Sequence, residues 1–192
     1  MKNLLILSFI SVVLIASCGG SKKVTSSNFQ FEEYKWGTTM TEIKERVESL
    51  PGFEVKYGSD SINTNFISYK TEIFDECEVT FSFTKASGLL YGVSLDWDKA
   101  RKVDKELLAK EIFEALTEKY GPPQEKDESS RFSAYNSRYW WKKGDESLEF
   151  SSLILLSHPR VYYGNDKIYI QGEIESEDLK RKKINRDGAK RL

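Results

Sequence analysis

The chain has few of the residues that most often carry chemistry. Its 192 residues include two cysteines, two methionines, four prolines and one histidine. A zinc site usually contains several histidine or cysteine ligands. A site at His158 would have to be completed by carboxylates, which is an uncommon ligand set. We therefore expect His158 to be a surface residue beside Pro159. The Gly-x-Ser-x-Gly motif is absent, and no Ser-His-Asp arrangement is indicated. The sequence therefore predicts no catalytic residue, no metal and no cofactor.

An excess of charge of either sign is also missing. Lysine and arginine number 29 against 30 aspartate and glutamate, a net charge of −1, and the mean hydropathy is −0.52. Nucleic-acid-binding domains present a strongly basic face, so we exclude nucleic acid as a partner. Asp96-Trp97-Asp98 begins like a calcium loop, but Arg101 occupies the position where that loop requires glycine.

Long apolar runs are absent after the amino terminus. The run Leu4–Ala16 contains 13 residues, whereas a membrane-spanning helix needs ~20. It follows Lys2 and leads into Ile15-Ala16-Ser17-Cys18, which is followed by Gly19-Gly20-Ser21. A positive residue, a short apolar run and small residues before a cysteine are typical of an export signal.

This segment resembles a bacterial lipoprotein signal with its lipobox. The resemblance implies cleavage between Ser17 and Cys18, a diacylglyceryl group on the Cys18 sulfur and an acyl chain, such as palmitate, on the new amine. Membrane lipid then becomes a partner through Cys18, because two or more acyl chains anchor a protein stably. The alternatives are an ordinary cleaved signal with a chance cysteine and an uncleaved membrane helix.

Cys77 is the second cysteine, and no intramolecular disulfide is available once Cys18 carries lipid. Apolar side chains alternate with polar ones from Cys77 to Phe83, which predicts a half-buried strand. We expect Cys77 in the core as a small apolar residue. Glu76 and Glu78 fall on the other, solvated side of the strand.

Composition and the lipobox resemblance together predict four segments. The resemblance implies that residues 1–17 are the lipoprotein signal peptide and that Cys18 is lipidated, and composition predicts a flexible tether over residues 18–29. Residues 30–172 form a single α+β domain, and residues 173–192 form a short helix and a basic tail. The tail either frays in solvent or lies on anionic lipid headgroups.

Local signals place helices and strands within the domain. Thr39 and Glu42 have the spacing of a capping box, and Asp104 is the predicted N-cap of a helix that ends at Gly121-Pro122. The segments Cys77–Phe83 and Leu89–Trp97 predict a hairpin. Further strands are predicted at 139–142, 148–156 and 161–170, with a turn at 164–166.

These elements predict an α+β fold: an antiparallel sheet of about six strands with two main helices packed on one face. The shared outline of the two halves leaves open a duplicated helix-plus-strands unit. The residues that carry a family resemblance are Trp36-Gly37 before the first, capped helix and Tyr120-Gly121-Pro122 after the second helix. With them, this order of elements resembles that of envelope lipoproteins of the SmpA/OmlA (BamE) type and the related β-lactamase-inhibitor-like fold. The resemblance covers roughly residues 31–170.

Aromatic residues suggest a binding surface. Alternation places Trp140 on the face opposite Tyr139 and Trp141, and it separates Tyr162 from Tyr163. Clustered exposed aromatics are typical of binding surfaces. The alternative is that a loop or the tail covers Trp140.

We therefore expect a non-enzymatic, membrane-anchored envelope lipoprotein that binds or assembles with another envelope protein. The alternatives are a ligand-binding or inhibitor-like module with an aromatic sheet face, and a surface-exposed structural or host-contact lipoprotein. In lipoproteins of enteric bacteria, an aspartate directly after the lipidated cysteine retains the protein in the inner membrane. This chain has Gly19 at that position. The lipoprotein resemblance implies the periplasmic face of an outer membrane in an organism that has one.

Overall fold

A computed structural model of the chain describes residues 29–58, 64–100, 104–127, 135–153 and 158–189. The predicted signal peptide, Ser17, Cys18 and the tether up to residue 28 lie outside the described residues. In chain order the elements are α1 (Met40–Val47), β1 (Glu54–Lys56), β2 (Thr64–Ile73), β3 (Asp75–Thr84), β4 (Leu90–Asp96), α2 (Lys105–Tyr120), β5 (Glu125–Asp127), β6 (Tyr135–Lys143), β7 (Glu146–Leu153), β8 (Pro159–Asn165) and α3 (Asp166–Ala189).

The strands of these residues form one antiparallel sheet in the order β1-β2-β3-β4-β8-β7-β6-β5. The first half of the chain provides α1 and β1–β4, and the second half provides α2 and β5–β8. Each half therefore consists of a helix, a three-residue strand at the sheet edge and three longer strands. The halves meet where β4 pairs antiparallel with β8. The α+β class and the antiparallel sheet are confirmed.

The predicted number of about six strands is wrong, because the sheet has eight. The two strands beyond the prediction are β1, with the sequence Glu-Val-Lys, and β5, with the sequence Glu-Lys-Asp. Three-residue segments rich in charge show no period-two apolar pattern, so the sequence gives no strand signal there. Charged side chains are suited to edge strands, where they oppose pairing with other chains.

A third long helix also departs from the prediction. We expected a strand across residues 161–170 with a turn at 164–166, but β8 ends at Asn165 and α3 begins at once. The side chain of Asn165 accepts a hydrogen bond from the Ile168 amide at 3.1 Å, so it caps the helix. The predicted domain boundary at residues 172 and 173 falls within α3. Among helices in the described ranges, none combines the length and the apolar character that a membrane crossing requires.

The first two helices begin as predicted. The Thr39 hydroxyl accepts from the Glu42 amide at 3.3 Å, and the Glu42 carboxylate accepts from the Thr39 amide at 2.9 Å. The Thr39 hydroxyl also donates to this carboxylate at 2.7 Å, and this bond together with that from the Thr39 amide lowers the pKa of Glu42. The Asp104 carboxylate accepts from the Leu107 amide at 2.9 Å. Helix α2 ends at Gly121, whose φ of +85° favours glycine.

One face of the sheet packs into the core. Helix α1 contributes Ile43 and Val47, and α2 contributes three buried side chains in the same cluster, those of Leu108, Ile112 and Leu116. Strand β3 contributes its odd-numbered residues Cys77, Val79, Phe81 and Phe83. The predicted burial of Cys77 is confirmed, since 1% of the residue is exposed.

Helix α3 contacts the other face. Thr84 alternates with Phe83 along β3 and therefore faces away from the core. A side chain at Gly172 would collide with Thr84, so the helix backbone lies close to the sheet at this glycine. The Tyr169 ring lies 5.2 Å from that of Tyr91. The sequence predicted two main helices on one face of the sheet, and it did not predict that a third helix, α3, contacts the other face.

Candidate functional site

The five aromatic residues predicted as a binding surface lie on two different faces. Trp141 and Tyr163 are buried in the core, with 1% and 6% of each residue exposed. Tyr139 lies on the same side, and its ring packs 4.4 Å from that of Phe113 in α2. These three residues stabilise the contact between the sheet and the helices.

Trp140 and Tyr162 face the opposite side. Both pair in register with Glu149 on β7, so the three side chains stand in one row across β6, β7 and β8. Each of these side chains is partly exposed. The indole of Trp140 donates to the Glu149 carboxylate at 3.1 Å. The structure therefore brings together two of the five predicted residues, with a carboxylate between them.

Tyr162 lies against two glycines that face each other at the junction of the halves. Gly92 on β4 pairs with Gly164 on β8. An added Cβ would lie 2.6 Å from the Tyr162 hydroxyl at Gly92 and 2.8 Å from the Tyr162 ring at Gly164. The missing side chains leave the space that the ring occupies. Burial in this position raises the pKa of Tyr162.

The sheet face that carries Trp140 and Tyr162 is termed the open face, and two rows of paired residues cross it. The row through Tyr162 is mostly hydroxyl-bearing and aromatic: Ser68, Thr80, Ser94, Tyr162, Glu149, Trp140 and Glu125. The neighbouring row is mostly charged: Lys70, Glu78, Asp96, Arg160, Ser151, Arg138 and Asp127. Directly opposed residues on antiparallel strands are close enough for their side chains to interact.

Ion pairs hold the arginines of the charged row. Arg160 donates to the Asp96 carboxylate from two nitrogens, with Nε at 2.9 Å from Oδ2. Arg138 Nε lies 3.2 Å from Glu149 Oε1, an ion pair without the alignment of a hydrogen bond. Glu149 therefore contacts both Arg138 and Trp140. These contacts restrict the orientation of the Arg138, Glu149 and Arg160 side chains on the open face.

A shallow cavity lies at the β2–β3–β4–β8 end of the open face. Its volume is about 270 Å³, and its walls carry three basic and four acidic side chains together with Cys77, Thr80 and Ser94. The charged residues are Lys70, Lys99, Arg160, Glu76, Glu78, Asp96 and Asp98. Sites for drug-sized ligands are usually 300–1,000 Å³ and mostly apolar. This cavity suits a small polar group or one side chain of a larger partner.

The sequence led us to expect His158 on the surface, but it is buried, with 4% of the residue exposed. Its Nε2 lies 3.4 Å from Asp96 Oδ1, and its Nδ1 lies 3.5 Å from Asp98 Oδ1. His158 directly precedes β8, and the pairing of β4 with β8 brings it beside the two aspartates, which no local pattern in the sequence indicates. The alternation of Glu76 and Glu78 indicated part of this charged face, but no sequence signal joined it to His158.

Two kinds of chemical group can be assessed directly, a metal-holding cluster and the Cys77 thiol. Within the ranges that the structure describes, no group of three or more His, Cys, Asp or Glu side chains could hold a metal ion. Burial raises the pKa of the Cys77 thiol to about 12, so the thiolate needed for reactivity is scarce at neutral pH.

Comparisons with known proteins give one distant likeness. No family model matches the chain, and no curated protein matches it. Among solved structures, the chain is similar to the crystal structure of a DUF4309 family protein (YjgB) from Bacillus subtilis subsp. subtilis str. 168. The identity is 14% and the TM-score 0.42, over 71% of this chain and 82% of that one. At these values the likeness assigns no function to the chain.

Cys77 gives a testable dependence of stability on pH. Its pKa is raised to about 12 in the folded state, whereas an unfolded cysteine titrates near 8.5. The unfolded state therefore loses this proton first, so stability is retained below pH ~8.5 and falls as pH rises above it. In Cys77→Val the free energy of unfolding should fall less steeply with pH than in the unaltered protein. We expect the two slopes to differ by up to about 1.4 kcal/mol per pH unit.

Denaturant titrations from pH 8 to 11 on the two proteins measure this effect. Tyr69, Tyr162 and Tyr163 also have raised pKa values because they are buried, so part of the fall should persist in Cys77→Val. Identical pH dependence in both proteins, or rapid modification of native Cys77 by a thiol reagent at neutral pH, would contradict the assignment.

Proposed function

We propose that this protein is a membrane-anchored envelope lipoprotein whose domain is a non-enzymatic binding module, with the open face as its binding surface. The observation that carries the proposal is the pair of polar rows that cross all the strands between β2 and β5. Ion pairs hold several of the charged side chains in these rows, yet solvent reaches them. The side chains of Lys70 and Arg160 are 41% and 46% exposed.

The dimensions of the face favour a macromolecular partner over a small ligand. Eight strands at a spacing of about 4.8 Å give a face roughly 35 Å wide. A cavity of about 270 Å³ occupies only part of it. A partner that covers the rows would bury an area comparable to a specific protein interface, about 800 Å² on each side.

The charges favour a protein partner with groups of both signs. Acidic and basic side chains lie side by side around the cavity, and such mixed patterns provide specificity through complementary charges on the partner. Trp140 and Tyr162 add aromatic surface beside them, which is the type of side chain that most often contributes strongly to binding. We therefore infer an envelope protein as the partner.

The proposal of a lipid anchor is based on the sequence of residues 15–21, and the proposal of a binding surface is based on the open face of the sheet. The two-fold arrangement of the halves around β4 and β8 supports the inference that a helix-plus-strands unit was duplicated. In that account the binding surface formed where the two units joined, since Asp96 and Arg160 pair across the junction. Sites at the boundary between structural units are common.

Replacement of Cys18 tests the anchor. In the native host, Cys18→Ala should abolish incorporation of radioactive palmitate and release the protein from the membrane fraction, because no thiol remains in the lipobox. Cys77→Ala is the matched control and should be labelled like the unaltered chain. Equal labelling of Cys18→Ala and the unaltered chain would disprove lipidation at this residue.

Site-specific crosslinking tests the binding surface. A photoreactive phenylalanine at Ser94, which is partly exposed on the open face, should give a discrete protein adduct in the native envelope. The same group at Glu118, which is exposed on α2, should not. Arg160→Gln should lower the Ser94 yield about tenfold, since a hydrogen bond to a charged group contributes about 1.5–3 kcal/mol.

Lys110→Gln is the matched loss of one charge on α2 and should leave the yield unchanged. Adducts from Glu118 alone would place the binding surface on the helices. A stoichiometric small molecule that blocks labelling at Ser94 without any protein adduct would favour the ligand-binding alternative.

A further inference from the structure

Helix α3 is far longer than its contact with the sheet. Its early turns pack through Gly172 and Ser176, which are buried, but every residue from 177 to 186 is exposed. We call residues 177–186 the overhang. A helical segment of about ten residues without tertiary contacts is marginal in water, so its helical form would be stabilised by a surface that binds it.

The overhang is strongly basic. It contains two acidic residues, Glu177 and Asp178, and five basic residues: Lys180, Arg181, Lys182, Lys183 and Arg186. Arg181 lies 3.7 Å from Glu177 in an i,i+4 pair at the surface. One or two cations in the last turn would complement the helix dipole. Five cations over seven successive positions exceed that requirement and form a patch that attracts anions.

The apolar residues of the overhang do not form a stripe. Leu179 and Ile184 are 55% and 69% exposed, and five positions at 100° each place them about 140° apart around the helix axis. A helix that inserts among acyl chains needs its apolar residues on one side. Binding to the overhang must therefore be mainly electrostatic and sensitive to salt.

The helix begins where the chain enters the domain. The Phe29 amide donates to the Glu146 carboxylate at 2.8 Å, and the Asp166 amide donates to the Asp145 carbonyl at 2.8 Å. Phe29 and Asp166, the first residue of α3, thus both hydrogen-bond to residues of the β6–β7 turn. Cys18 precedes Phe29 by 11 residues, which span at most about 40 Å. A lipid anchor at Cys18 would keep this end of the domain near the bilayer.

We propose that the overhang binds the anionic lipid headgroups of the membrane that holds the anchor. The inference rests on the proposed lipid anchor, which raises the local concentration of headgroups around α3. Each lysine or arginine beside an anionic bilayer strengthens binding about fivefold. That attraction is lost at high salt, because charges beyond the Debye length are screened.

Hydrogen–deuterium exchange of the full chain tests the proposal. The protein is inserted from detergent into vesicles of phosphatidylcholine alone or mixed with phosphatidylglycerol. At low salt, amides of residues 177–186 should exchange at least about fivefold more slowly on the anionic vesicles, because headgroup contact stabilises the helix. High salt should remove the difference.

Two charge-matched variants make the test specific. Replacing Lys180, Arg181, Lys182, Lys183 and Arg186 by glutamine should abolish the protection. Replacing five exposed cations elsewhere by glutamine should preserve it, at Lys44, Arg46, Lys56, Lys110 and Lys119. Equal exchange on both vesicle types, or protection by added duplex DNA but not by anionic vesicles, would overturn the proposal. If the protein does not stay on phosphatidylcholine vesicles, the proposed lipid anchor is contradicted. The comparison of exchange on anionic vesicles still tests the overhang in that case.

Discussion

The pairing of β4 with β8 is the interaction on which the rest of the structure depends. It joins two halves that each provide a helix and four strands. Without it, each half would expose the edge of a central strand and one side of its core. The same pairing brings Gly92 to Gly164, which makes room for the Tyr162 ring. It also aligns Asp96 with Arg160.

Each strand contributes to two different surfaces because its side chains alternate. On β3, Phe81 lies in the core with the helices, while Glu78 and Thr80 line the cavity on the other side. On β6, Trp141 lies in the core, whereas Trp140 lies on the open face and donates a hydrogen bond to Glu149. The core thus fixes the register that places the polar rows, and α3 contacts the open face near Thr84 and Tyr91.

Local sequence signals predicted the elements whose cause is local. The capping box at Thr39, the burial of Cys77 and the end of α2 at Gly121 follow from neighbouring residues. The edge strands β1 and β5 form because longer strands pair with them, and their own residues carry no apolar pattern. The burial of His158 and the charged row depend on the pairing of residues more than 60 positions apart, such as Asp96 with Arg160. Such contacts are invisible to periodicity.

Protection of the open face in the intact envelope tests the central claim most directly. Thr80→Cys places a thiol in the cavity, and Glu118→Cys places one on the exposed side of α2, while native Cys77 stays buried. The account predicts that a maleimide labels both introduced cysteines in purified protein but labels only the one at position 118 in the envelope. Equal labelling of the cysteine at position 80 in purified protein and in the envelope would contradict a partner bound at this face.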